Sequence, residues 1–129
     1  MLDVNPNLKA PVPENNTGVR RLINAARFSM QGLRACFRTE EAFRQEVYAS
    51  IVLIPLGFYL GDTPIERALL VSAVLFVMIV ELLNTAVERA IDRISFERHN
   101  LSKESKDMGS AAVLLAIAIA AVIWGCILL

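Results

Sequence analysis

The chain has 129 residues, of which 55% are hydrophobic and 20% are charged, and its formal net charge at pH 7 is zero. This composition is typical of an integral membrane protein and argues against a soluble globular domain. Aromatic residues make up only 7% of the chain, which argues against a base-stacking surface for nucleic acid. One histidine and two separate cysteines, Cys36 and Cys126, predict no zinc, haem or thiol chemistry.

Residues 1–16 contain three prolines and four asparagines and show little periodicity, so we expect a disordered lead. No basic segment followed by a short apolar segment occurs here, so we expect no cleavable signal peptide. The remaining residues, 17–129, are predicted to form one membrane-embedded domain.

Residues 17–38 have the pattern of a basic amphipathic helix. Its apolar face consists of Val19, Leu22, Ile23, Ala26, Met30, Leu33 and Phe37. A neighbouring polar stripe consists of Arg20, Asn24, Arg27, Gln31, Arg34 and Arg38. This pattern predicts a helix on an anionic membrane surface, which Gly32 could bend. The alternative is an ordinary packing helix with a solvated basic face.

Residues 40–61 are predicted to form the first membrane span. The uninterrupted apolar run, 47–60, is about 20 Å long as a helix. It reaches the ~30 Å of a bilayer core only if the neighbourhood of Glu46 is included. Residues 61–64 then predict a tight turn, with Thr63 as an N-cap and Pro64 as the first residue of the next helix.

The second span, residues 65–92, begins as an apolar helix and ends as a charged one. Five polar residues share one narrow sector of its surface: Glu81, Asn84, Thr85, Glu88 and Asp92. From Ile65 to Glu81 the helix rises about 24 Å, which places Glu81 near the far edge of the hydrocarbon. Glu88 lies about 10 Å further, in the headgroup layer. Counted back from the turn, Glu40 reaches a similar depth, so these acids are predicted to meet.

Residues 93–105 are predicted to be a polar connection, with Ser102 or Ser105 as the N-cap of a third span over 107–129. Small residues along this span permit close packing between helices. Lysine and arginine cluster before the first span and in the second connection, whereas the first connection has only Arg67. The positive-inside rule therefore predicts a cytoplasmic N-terminus and a C-terminus on the other side of the membrane.

The acidic cluster has the composition of a phosphoryl-transfer site. Glu40 and Glu88 are hard oxygen ligands suited to Mg²⁺ with phosphate. Glu81, nearest the hydrocarbon, is a candidate general base, and Lys106 could neutralise phosphate charge. Three alternatives remain open: solvated surface acids, a proton or ion pathway, and a purely structural anchor. No carboxylate lies at the predicted midplane of a span, which disfavours the pathway.

Three segments resemble one family, the prokaryotic diacylglycerol kinases. They are EEAFRQE (40–46), MIVELLNTAVE (78–88) and KDMGSAAV (106–113). The resemblance covers the chain from about Thr17 to its end. It implies an all-α membrane enzyme with one surface helix and three transmembrane helices per subunit. It also implies a homotrimer in the bacterial inner membrane that transfers the γ-phosphate of MgATP to diacylglycerol.

The resemblance also implies roles for individual residues. The catalytic residues would be Glu81 and Asn84, and the Mg²⁺ ligands would be Glu40 and Glu88. The ATP-binding residues would be Arg21, Glu40, Glu88, Glu97, His99, Lys106 and Asp107. The lipid substrate would contact Arg21, Ala25, Arg34, Glu46, Glu81 and Ser110. The pattern does not separate a diacylglycerol kinase from an undecaprenol kinase.

Overall fold

Every regular element in the part of the chain that the computed structural model describes, residues 17–94 and 99–129, is an α-helix. The helices are α1 (Gly18–Thr39), α2 (Glu41–Leu60), α3 (Pro64–Ile94) and α4 (Asn100–Leu128). This confirms the all-α prediction for the described residues. The chain forms two compact units, one ending at Gly32 and the other running from Leu33 to Leu129, so the boundary falls within α1. The predicted disordered lead, 1–16, lies outside the described residues.

Helix α1 agrees with the predicted surface helix to within one residue at each end, and it continues through Gly32 without a break. In the unit that ends at Gly32, the apolar side chains are exposed; Val19 is 72% exposed and Leu22 is 71% exposed. This segment therefore buries almost none of its apolar face against its own unit. Its placement on a membrane surface remains a prediction.

The connection between α2 and α3 is built as the turn residues predict. The Glu66 backbone N–H donates to Thr63 Oγ1 at 3.2 Å, and the Asp62 N–H donates to Glu66 Oε2 at 2.7 Å. These reciprocal bonds satisfy backbone donors at the start of α3, which begins at Pro64. The Arg67 side chain donates to the Gly61 carbonyl at 3.0 Å and closes the turn.

Helix α4 begins earlier than predicted, and its N-cap is a different residue. Neither Ser102 nor Ser105 caps the helix, because α4 already starts at Asn100 and both serines lie inside it. The His99 Nδ1 accepts a hydrogen bond from the Leu101 N–H at 3.1 Å and so occupies the N-cap position. The predicted polar connection is therefore shorter, since much of it forms the hydrated first turns of α4. Residues 95–98 lie outside the described residues.

Helix α3 packs against both α2 and α4. Three contacts fix the antiparallel register of α3 and α4. The Trp124 indole N–H donates to the Leu70 carbonyl at 3.1 Å, Gly109 faces the Asn84 side chain, and Lys106 pairs with Asp92. The residue numbers of each pair add up to nearly the same value, as antiparallel neighbours require.

Two helices, α3 and α4, are long and apolar enough to cross a membrane by length and composition. Only 6% of the most apolar stretch of α4 is buried within the chain, so most of that surface is left for lipid or for other subunits. Helix α2 carries Glu41, Arg44 and Glu46 in its first two turns, which makes it less apolar. Two membrane helices are thus supported, and α2 as a third span stays a prediction.

Candidate active site

The corner between α1 and α2 positions Glu40. Its backbone is extended between the two helices, with φ −113° and ψ 111°. The Arg44 guanidinium donates to the carbonyls of Phe37 and Arg38, at 3.1 and 2.9 Å, and so satisfies acceptors at the end of α1. Arg89 of α3 donates to Thr39 Oγ1. These contacts hold the corner against α3, beside the acidic face of that helix.

Glu81 is the buried acid of the site. Only 7% of this residue is exposed, although it lies on the largely apolar helix α3. It lies close enough to Glu40, Glu46 and Glu88 for the charges of these carboxylates to act on it. The Glu46 Oε2 atom is buried and has no hydrogen-bond partner among the described residues. The predicted approach of Glu40 and Glu88 to Glu81 is therefore present in the structure, and Glu46 of α2 joins them without having been part of that prediction.

Asn84 links the acidic face of α3 to α4. Its side-chain Nδ2 donates to Glu88 Oε1 at 3.4 Å, one helical turn further along α3. Its Oδ1 is buried and has no partner among the described residues. A Cβ atom added at Gly109 would collide with this same oxygen, so α4 approaches Asn84 closely because residue 109 has no side chain. Asn84 is thus held by both helices and retains an unused acceptor.

The residues expected to contact nucleotide at the start of α4 pair with protein side chains. Lys106 Nζ lies 2.6 Å from Asp92 Oδ1 of α3. Asp107 pairs with Lys103 at 2.7 Å, one turn away on α4. His99 uses Nδ1 to cap α4. Their predicted contacts with ATP remain predictions.

A buried thiol lies at the edge of the cluster. The Cys36 S–H donates to Thr85 Oγ1 at 3.8 Å and joins the end of α1 to α3. Burial raises the pKa of the Cys36 thiol, and the hydrogen bond to Thr85 opposes this effect. A thiol with a raised pKa is a poor nucleophile near neutral pH. Cys36 is therefore a packing residue, and Cys126 is free and exposed.

Two cavities adjoin the site within the unit that starts at Leu33. One has a volume of about 290 Å³ and is lined by apolar residues of α2, α3 and α4, with Glu46 as its charged residue. The other has a volume of about 660 Å³ and is lined by the end of α1, by α2 and by Met78. Arg34 and Arg38 are its basic residues. The walls of the first cavity are apolar, whereas the second combines apolar walls with polar groups, as a lipid with a polar headgroup requires.

Four predicted site residues are not assigned to this cluster by the contacts of the described residues. Arg21 and Ala25 belong to the unit that ends at Gly32, and Ser110 is exposed on α4. Glu97 lies outside the described residues. The roles assigned to these four residues therefore rest on the sequence alone.

The structure adds contacts that the sequence pattern did not indicate. Arg44 clamps the α1–α2 corner, Gly109 admits Asn84, and Asp92 pairs with Lys106. The sequence placed Asp92 in the polar sector of α3, but it did not indicate that Lys106 is its partner. Gly109 is one of the small residues of the third span that were predicted to permit close packing, but its contact with Asn84 was not indicated. The contacts of Arg44 gave no signal, because they depend on how separate helices meet.

Comparison with known proteins gives a consistent result over nearly the whole chain. The family model described as prokaryotic diacylglycerol kinase matches residues 27–128. The diacylglycerol kinase of Haemophilus influenzae is 52% identical over 112 residues, which cover 87% of this chain and 95% of that protein. That of Pseudomonas aeruginosa is 49% identical over 121 residues, covering 93% and 98%. That of Escherichia coli K12 is 51% identical over 115 residues, covering 89% and 93%.

Proposed function

Because the chain belongs to the prokaryotic diacylglycerol kinase family, we propose that it phosphorylates diacylglycerol. MgATP is the phosphate donor and phosphatidic acid is the product. The observation that carries the proposal is the enclosed carboxylate of Glu81, surrounded by the acids Glu40, Glu46 and Glu88. The ion-pathway and anchor alternatives lack support of this kind, because neither explains a match to kinases along most of the chain.

In the proposed reaction Glu81 removes the proton from the lipid hydroxyl, whose oxygen then attacks the γ-phosphate. The position of Glu81 near the hydrocarbon suits a substrate held in the membrane. Only 7% of Glu81 is exposed, so little of it is accessible to solvent, which favours a base acting on a lipid alcohol. Asn84 assists from the next turn of α3, where its unused Oδ1 can accept a hydrogen bond from the substrate or a bound water.

Glu40 and Glu88 are the proposed ligands of Mg²⁺. Among the described residues, no three histidine, cysteine, aspartate or glutamate side chains converge closely enough to hold a metal alone. This arrangement fits Mg²⁺, which commonly uses one or two carboxylates and completes its shell with phosphate and water. The hydrogen bond from Asn84 orients the Glu88 carboxylate. When bound, Mg²⁺ neutralises charge on the β- and γ-phosphates.

The remaining polar residues are proposed to bind the two substrates. Lys106 and Asp107 at the start of α4, with His99, Glu97 and Arg21, are proposed to contact ATP. Charge neutralisation by a lysine is a common feature of phosphoryl-transfer sites.

The lipid is proposed to bind along the apolar cavities beside Glu46. The contacts proposed for it are Arg21, Ala25, Arg34, Glu46, Glu81 and Ser110. Glu46 and Arg34 line the two cavities, and this supports their assignment.

We further propose that the enzyme is a homotrimer in the bacterial inner membrane, with three spans per subunit and a cytoplasmic N-terminus. The exposed apolar surface of α4 and its small residues support association between subunits. Native mass spectrometry from detergent should then give the mass of three chains. An active monomer would argue against this assembly.

The test of the activity is lipid phosphorylation by purified protein in mixed micelles. With MgATP labelled in its γ-phosphate, label should appear in phosphatidic acid when diacylglycerol is offered. Undecaprenol is offered in parallel. Label in undecaprenol alone would show that the protein is a kinase whose lipid substrate is undecaprenol. No label in either lipid would overturn the proposed function.

A further inference from the structure

The Lys106 ammonium has a partner outside the set of residues proposed to bind Mg²⁺ or ATP. Its Nζ lies 2.6 Å from Asp92 Oδ1, and the two side chains are 42% and 40% exposed. The pair joins the last turns of α3 to the first turns of α4. Glu88, one turn before Asp92, also lies close enough for its charge to act on Lys106. Asp92 thus holds the lysine beside a proposed Mg²⁺ ligand.

The geometry leaves Lys106 able to bind a second anion. A lysine ammonium has three N–H donors on a flexible four-carbon stem. One donor is used by Asp92, so two remain for phosphate oxygens. Fixing the stem before nucleotide arrives removes part of the conformational entropy that phosphate binding would otherwise cost.

A second lysine–aspartate pair nearby shows why this one is different. Lys103 and Asp107 are one turn apart on α4, and their side chains are 68% and 63% exposed. A pair within one helix cannot fix α4 relative to α3. The Lys106–Asp92 pair crosses between the helices and is the less exposed of the two.

We propose that Asp92 is a positioning residue, which holds Lys106 where the phosphates of MgATP bind. Asp92 itself does not touch the nucleotide or the lipid. The inference rests on the proposed function, because it assigns Lys106 to the nucleotide phosphates. It adds Asp92 to the site, and substitution of Asp92 should affect the binding of MgATP but not the binding of the lipid.

Steady-state kinetics of the full chain in mixed micelles test this role. In Asp92→Asn the KM for MgATP should rise about two- to fivefold, as expected for loss of a part-exposed ion pair. The KM for diacylglycerol should not change. Asp92→Glu retains the charge, so its KM for MgATP should lie between those of the unsubstituted chain and Asp92→Asn. This variant tests the proposal even if Asp92→Asn is unstable. Glu104→Gln, which removes an exposed charge from α4, is the matched control and should leave both constants unchanged.

A double mutant shows whether Asp92 acts through Lys106. Lys106→Ala should raise the KM for MgATP by itself, and adding Asp92→Asn should then have no further effect. Equal effects of Asp92→Asn in both backgrounds would overturn the positioning role. An unchanged or lower KM for MgATP in the single variant would overturn it too, and a lower value would show that Asp92 competes with nucleotide. If the chain without substitutions showed no kinase activity, the proposed function would be overturned, and the role of Asp92 with it.

Discussion

Glu81 is the residue whose environment is hardest to explain by structure alone. A carboxylate that is 7% exposed on an apolar helix is costly unless it is paired or has a function. Its neighbours are other acids, Glu46 and Glu88 among them, rather than a compensating arginine or lysine. Like charges close together destabilise the fold and are typical of a site that must bind a cation and transfer a proton.

We expect Glu81→Gln to lower kcat for lipid phosphorylation by about 10²–10⁴-fold, the usual contribution of a general base. Glutamine has nearly the same shape and removes a repulsive charge, so the protein should fold and assemble at least as well. Rates are measured in mixed micelles, and assembly by size-exclusion chromatography. Glu41→Gln, at an exposed position of α2, serves as the control and should retain activity. A near-normal rate for the Glu81 variant would refute its assignment as the base.

At the scale of elements, the site depends on the register between α3 and α4. Leu70 with Trp124, Asn84 with Gly109 and Asp92 with Lys106 form successive contacts along the two helices. The middle contact is the closest, since any side chain at 109 would meet the Asn84 amide. The Asn84 side chain that contacts α4 also donates a hydrogen bond to Glu88, one turn further along α3.

Gly109→Ala should disturb this contact. The added methyl group either displaces the Asn84 side chain or separates the helices, at a cost of about 1–3 kcal/mol for overpacking. We expect lower turnover and faster thermal inactivation in micelles. Gly125→Ala is the matched control on the same helix, because a Cβ atom there would meet nothing within 4 Å. If both variants had the same turnover and the same rate of thermal inactivation, the close approach at Gly109 would not be needed for function.

At the scale of the whole molecule, the membrane replaces much of the core that a soluble protein of this size would have. Within residues 17–94 and 99–129, few hydrophobic residues are buried: Cys36, Phe43, Leu70, Ala73, Val74 and Ala116. Helices α3 and α4 supply two apolar segments of membrane length, and α2 is shorter and carries charges at its start. The ends of the helices that carry the acids must lie on the side of the membrane that contains ATP if the proposed function is correct.

Cysteine accessibility in a background without native cysteines tests this arrangement. Ser105→Cys should react with an impermeant maleimide only from the cytoplasmic side, because residue 105 lies at the acidic end of the helices. Asp62→Cys, in the turn between α2 and α3, should react only from the opposite side. Labelling of both from the same side would show that α3, the helix between the two positions, does not cross the bilayer.

Much of this protein could be predicted from local pattern. The bounds of α1 and α2, the Thr63–Pro64 helix start and the polar sector of α3 follow from periodicity and turn chemistry, which act over a few residues. Depth along a helix is also local, because the rise per residue is constant. For this reason the meeting of Glu40, Glu81 and Glu88 was predictable before any contact was known.

Contacts between helices were not predictable in this way. The start of α4 at Asn100, the clamp by Arg44 and the pairing of Asp92 with Lys106 involve caps or partners that the pattern of one segment does not specify. The pattern predicted Ser102 or Ser105 as the cap of α4 and did not indicate His99, and it named no partner for the lysines of α4. The pairing of Asp92 with Lys106 depends on the register between α3 and α4, which is a property of packing. The acidic sector of α3 thus follows from its own residues, whereas the side chains that complete the site are selected by the helices packed against it.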